Sequence, residues 1–118
     1  MTPFERTKLN ELITICESVF SLVEDMREYK IRRNKPLRTD LTKQIILLAN
    51  SVSNLKKVNK DLIIQILEKE ELERLIKFGE VLALNHEKID FGIVWRSTQD
   101  EIPSLYRKTK NLITIRST

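Results

Sequence analysis

The chain has 118 residues, of which 41% are hydrophobic and 32% charged, and carries a net charge of +4; that length suits a single domain, residues 1–118, with a modest core. With two glycines, three prolines and one cysteine, it excludes a turn-rich β fold, a glycine loop that cradles phosphate and an internal disulfide. No apolar run approaches the roughly 20 residues that span a bilayer, and residues 1–6 lack the apolar stretch of a signal peptide, so a cytoplasmic protein without membrane contact is expected.

The first helix announces itself. Thr2-Pro3-Phe4-Glu5 reads as a capping box, with Thr2 as N-cap, Pro3 at the first helical position and Glu5 reaching back. Leu9, Leu12, Cys16, Val19, Val23 and Met26 keep a heptad spacing, and Ile13 and Phe20 widen the stripe. Three heptads without a glycine or proline predict a helix of about eight turns. Such a face packs inside a bundle or against a second copy.

Residues 30–38, Lys-Ile-Arg-Arg-Asn-Lys-Pro-Leu-Arg, read as the first connection, because Pro36 disfavours helix at Lys35 and removes a donor. Thr39 or Asp40 is expected to cap the second helix. Its stripe is Leu41, Ile45, Leu48, Val52 and Leu55, and it ends at Lys56-Lys57-Val58-Asn59-Lys60, where lysines suit the negative end of the helix dipole.

Residues 61–84 look helical with a conflict of phase. Leu62, Ile63, Ile66 and Leu67 lie on one face, and Leu72, Leu75, Ile76, Gly79 and Leu82 on the opposite one. The pattern predicts either a break near Glu68-Lys69-Glu70-Glu71 or burial on two sides, with Gly79 allowing close helix packing and Asn85 as terminator. Residues 88–96 are ambiguous between helix and a short strand. Ile89, Phe91, Ile93 and Trp95 alternate with Asp90, Gly92, Val94 and Arg96, yet the one available partner strand is Leu112–Ile115, so helix or irregular structure is preferred. A last helix starts near Asp100, with Pro103 at its third position and a face of Ile102, Leu105, Tyr106, Thr109, Leu112 and Ile113. The fold class is therefore mainly α, a bundle of four or five helices.

Charge is segregated along the chain. Residues 1–29 hold three cations and six anions, residues 30–60 nine cations against Asp40 alone, residues 61–101 five cations and ten anions, and residues 102–118 four cations and no anion. Acidic and basic helices can pair internally, and the surplus forms basic patches that meet phosphate. The densest patch is Lys30, Arg32, Arg33, Lys35 and Arg38, with Tyr29 adjoining it as a surface on which a base can stack. An up-and-down bundle places that patch at one pole. Lys56, Lys57 and Lys60 fall at the other, near Arg107, Lys108, Lys110 and Arg116. The competing view of these residues is a solvated loop that neutralises the carboxyl end of the first helix.

Nothing in the chain signals catalysis or a cofactor. His86 and Asp90, with Glu87 between, have ligand spacing, but a metal site needs about four ligands and no second His or spare Cys exists. Cys16 sits among apolar neighbours, a place for an inert core thiol. Carboxylate pairs such as Glu24-Asp25 and Asp100-Glu101 come without a pocket that would raise their pKa values. The expectation is a non-enzymatic accessory protein that binds nucleic acid, DNA or RNA, or a nucleoprotein complex, through phosphate contacts, with no metal, no cofactor and no small-molecule substrate. The alternative is a protein–protein module, an oligomeric scaffold or inhibitor, docking through an apolar helix face, including as a homo-oligomer.

Overall fold

A computed structural model describes residues 1–85 and 88–117, with side chains for 1–85 and 88–115. The described residues are mainly helical and contain no strand. Helix α1 covers Pro3–Val23, α2 Glu28–Arg32, α3 Lys35–Val58, α4 Lys60–Ile63, α5 Lys69–Asn85, α6 Phe91–Gln99 and α7 Glu101–Ser117.

Helix α1 opens on the expected cap: the Thr2 hydroxyl accepts the Glu5 N–H at 3.1 Å, with Pro3 at the first position. The Glu5 carboxylate does not close the box on Thr2. It accepts instead from the Asn59 side-chain amide at 3.4 Å, tying the start of α1 to the end of α3. The helix is 21 residues long, about six turns and not eight. It stops because Asp25 adopts the left-handed region (φ 57°), which aspartate tolerates better than most residues. The Glu24 N–H still closes on the Phe20 carbonyl at 2.8 Å, and the chain then turns away.

The connection expected at 30–38 is replaced by two helical pieces. Helix α2 is held down by Ile31, which is fully buried. After two intervening residues α3 begins at Lys35, five or six residues earlier than a cap at Thr39 or Asp40 would start it. Asn34 is the actual cap, its side-chain oxygen accepting the Leu37 N–H at 3.1 Å. Pro36 therefore lies in the first helical turn, where its missing donor has no intrahelical partner to lose.

The phase conflict in 61–84 resolves as a break. Asn59 ends α3, donating its N–H to Leu55, and caps α4 by accepting the Leu62 N–H at 3.1 Å. The chain turns through residues 64–68 and restarts as α5, where the Glu71 carboxylate reaches back to the Glu68 N–H at 3.2 Å. That is the carboxylate half of a capping box, placed in the acidic run where the break was expected. Both apolar clusters are consequently buried: Leu62 and Ile63 before the turn with Ile66 and Leu67 within it, and Leu72, Leu75 and Leu82 after it. The ambiguous segment is helical from Phe91, with the Asp90 carboxylate accepting the Gly92 N–H at 2.9 Å. Its alternation misleads about burial, since Val94 is buried and Ile93 exposed. The span Leu112–Ile115 belongs to α7, whose third residue is Pro103 as expected.

Four helices pack on α3: α1 and α5 lie along it, and α2 and α4 sit near its two ends, while α6 and α7 pack on α1 and on each other. Its buried residues include Leu41, Ile45, Leu48, Ala49, Val52 and Leu55. The stripe of α1 (Leu9, Leu12, Cys16, Val19) is buried against α3 and α7, so that face is already occupied. Phe20 of α1 meets Tyr106 of α7 edge to face, with centroids 5.1 Å apart.

The α3–α5 contact depends on Gly79. A Cβ there would lie 2.3 Å from the Ala49 Cβ, far inside van der Waals contact. Gly79→Ala ordinarily stabilises a helix interior by about 0.5–1 kcal/mol, but here overpacking costs about 1–3 kcal/mol. We expect a net lowering of the denaturant midpoint at unchanged m-value, and recovery in the double variant Gly79→Ala with Ala49→Gly. A midpoint for Gly79→Ala at or above that of the parent would contradict this contact.

Candidate nucleic-acid interface

Two short-range features build a basic elbow. Helix α2 presents Lys30, Arg32 and Arg33 around the buried Ile31, and α3 starts two residues later with Lys35 and, one turn on, Arg38. Lys30, Arg32, Arg33 and Lys35 are exposed and Arg38 is half-buried. The Arg38 guanidinium donates to the Arg32 carbonyl and braces the elbow across the junction. Arg32 pairs with Glu28 at 2.8 Å, but both side chains are open to solvent, so the pair is worth little and leaves arginine donors available. The Arg33 guanidinium lies 5.9 Å from the centre of the Tyr29 ring. Tyr29 itself is 50% exposed, a large aromatic face beside the cations. All five residues of the densest predicted patch are thus gathered at one pole.

Behind this elbow is a cleft of about 360 Å³. One wall is the first two turns of α3, contributing Lys35, Arg38, Thr39 and Thr42; the other is the entry to α6, contributing Ile89, Phe91 and Val94. The threonines and the apolar wall were absent from the predicted site. No sequence signal joins residues 35–42 to 89–94, because only the packing of α6 across the bundle brings them together.

The remaining predicted cations do not join this pole. Lys57 and Lys60 are exposed and Lys56 half-buried at the far end of α3, about 35 Å from Lys35 along a helix of this length. On α7, Arg107 is exposed, Lys108 pairs with Glu71 of α5 at 3.7 Å, and Lys110 lies over the Tyr106 ring at 5.1 Å. The Lys110 ammonium also donates to the Tyr106 hydroxyl, which in turn donates to Glu17 of α1, each at 3.3 Å. Of the three α7 cations whose side chains are described, Lys108 is thus paired with a neighbouring helix and Lys110 is engaged with Tyr106 of its own helix, which reaches Glu17 of α1. The Arg116 side chain and His86 lie outside the described residues, and with His86 the idea of a metal site at His86 and Asp90. Among the described residues no group of three or more His, Cys, Asp or Glu is arranged to hold a metal ion, and no helix is long and apolar enough to cross a membrane.

Comparison with known protein families, with characterised proteins and with solved structures finds no match to this chain.

Cys16 is 1% exposed. Burial, and secondarily the charge of Glu17, pushes its thiol from 9.0 up to about 12. A thiol held protonated this way is a poor nucleophile. The native protein should react with a thiol reagent only as fast as it opens, and rapid stoichiometric labelling would contradict the burial. Because the folded value is raised, the associated stability is fully present below about pH 9 and is lost as pH rises toward 12. Cys16→Ala should fold with a loss of about 1 kcal/mol at neutral pH and show a shallower decline of melting temperature over that alkaline window.

Proposed function

We propose that this chain is a non-catalytic, basic helical-bundle protein that binds nucleic acid, alone or within a nucleoprotein, by phosphate contacts at the α2–α3 elbow. The observation that carries this reading is the convergence of Lys30, Arg32, Arg33, Lys35 and Arg38 on one helical junction beside an exposed Tyr29. Three of the five are arginines, whose planar forks meet phosphate oxygens two at a time. The junction is short and anchored by Ile31, so the cations are presented on helices and lose less conformational freedom on binding than a loose loop would. The lysines at the far end of α3 extend the positive surface; Lys108 and Lys110 contribute less, being paired with Glu71 and Tyr106.

A second reading, a protein–protein module, is favoured by a different place from the one the sequence suggested. The α1 stripe is consumed by the core, whereas Val81 and Leu84 on α5 are 42% and 86% exposed one turn apart. Binding there would be apolar and largely indifferent to salt.

Salt separates the two. Binding of single- or double-stranded DNA or RNA should weaken steeply as salt rises. The double variant Arg32→Ala, Arg33→Ala should weaken it about uniformly across sequences and flatten the slope of log affinity against log salt by up to about two units. Its melting temperature should stay close to the parent's, since both side chains are exposed. Absence of binding to every one of these polymers at low salt, or affinity indifferent to the substitutions, would defeat the proposal. Light scattering of Val81→Asp, Leu84→Asp beside the parent tests the second reading: loss of a parental oligomer would support it.

A further inference from the structure

The cleft between α3 and α6 has features that phosphate gripping alone does not need. Thr42 is 7% exposed, and its hydroxyl makes no hydrogen bond to a described residue. Three other helical threonines differ. Thr7, Thr14 and Thr109 each donate to the carbonyl four residues back, at 2.9, 3.0 and 2.7 Å. The Thr42 oxygen is not among the buried hydroxyls without a partner, which among the described residues are those of Ser51 and Ser97, and so it reaches the cleft that Thr42 lines. Thr39 lies one turn earlier on the same wall, likewise making no hydrogen bond to a described residue, with Lys35 and Arg38 beside it. Facing them are the side chains of Ile89, Phe91 and Val94. Asp90, the nearest carboxylate in sequence to that apolar wall, is occupied in capping α6 through the Gly92 N–H, and Glu28 is paired with Arg32. Cations at the mouth, free hydroxyls on one side and an aromatic-containing apolar wall on the other match a molecule with an anionic end and a flat, hydrogen-bonding body.

We infer that this cleft takes one unpaired nucleotide. The phosphate lies against Lys35 and Arg38, the base against Phe91 and Ile89, and the polar edge of the base or sugar meets Thr39 and Thr42. At about 360 Å³ the cleft admits a single ring system with its phosphate; paired bases in a duplex do not present a free face to it. The inference rests on the phosphate-binding reading above for the cations it shares, and it narrows that reading to single strands. A free mononucleotide carries the same chemistry, so the source of the nucleotide is settled by the arms of the experiment.

The test is fluorescence anisotropy of the full chain with labelled ten-nucleotide single strands of DNA and RNA. Blunt duplexes of matched length are measured at the same salt, and calorimetry with nucleoside monophosphates runs beside them. A single-strand preference of about tenfold is expected from one stacked base. Thr42→Val, which removes the hydroxyl at nearly constant volume, should weaken single-strand binding by about three- to tenfold and leave duplex binding and melting temperature unchanged. Thr39→Phe, which fills the cleft from its half-exposed wall, should abolish the preference and guards against any structural effect at Thr42. Monophosphate binding that Thr42→Val weakens, without strand binding, would support the cleft as a free-nucleotide site and remove the polymer reading. Equal binding of single strands and duplexes, with both variants silent, would overturn the cleft and leave the phosphate-binding pole standing. No binding of strand, duplex or monophosphate at low salt would overturn both.

Discussion

The close approach of Gly79 to Ala49 sets the geometry on which the rest of the molecule depends. With no side chain at 79 and a single methyl at 49, α5 settles against α3 at a distance that larger residues would forbid. On the other side, α1 covers α3 with a stripe of four fully or almost fully buried residues. Helix α3 is thereby held between two neighbours, and its 24 residues become a rigid strut. Whatever sits at its ends is held apart by the length of that strut. This separates the cations of the α2–α3 elbow from those at Lys56, Lys57 and Lys60.

Charge is handled differently at different places in the fold. Where basic and acidic helices lie side by side, positive side chains meet local partners: Lys108 meets Glu71, and Lys110 meets the Tyr106–Glu17 pair. Such exposed contacts add little stability, but they neutralise the flank. At the elbow, two helices start or end within a few residues, and cations accumulate without enough anions to match them. Glu28 serves Arg32, while Lys30 and Lys35 face solvent. A surplus of this kind, concentrated at one pole of a molecule 44 Å in its longest dimension, produces a directional field and not a diffuse one.

The two breaks in the chain matter as much as the helices. Asp25 in the left-handed region ends α1 early enough for α2 to form, and α2 is what turns three basic residues outward around Ile31. Had α1 run on for its full apolar pattern, Lys30, Arg32 and Arg33 would lie on its extension, away from Lys35 and Arg38. Asn59 has a comparable role at the other end, terminating α3, capping α4 and bonding to Glu5 with three separate groups. Both devices cost the chain only one residue each, and both determine where a basic cluster ends up.

Local chemistry by itself determined a good deal. The Thr2 cap, the stripes of α1, α3 and α7, the phase break ahead of α5, the closeness allowed by Gly79 and the burial of Cys16 all follow from spacing and residue type. Each reflects interactions within a few residues or a single amphipathic face. What local pattern misjudged were the competitions between short-range signals. Asp25 overrode a continuing apolar stripe, Asn34 captured a cap assigned to Thr39 or Asp40, and an alternating run at 89–96 became helix because Asp90 caps it and no strand partner is at hand. The cleft was decided only by tertiary structure. Its two walls are some 50 residues apart in the chain, and neither Thr42 nor Phe91 carries any local mark of a site. Their juxtaposition exists because α6 packs on α7, α1 and α2 beside the start of α3, and contacts made by packing leave no periodicity in the residues that make them.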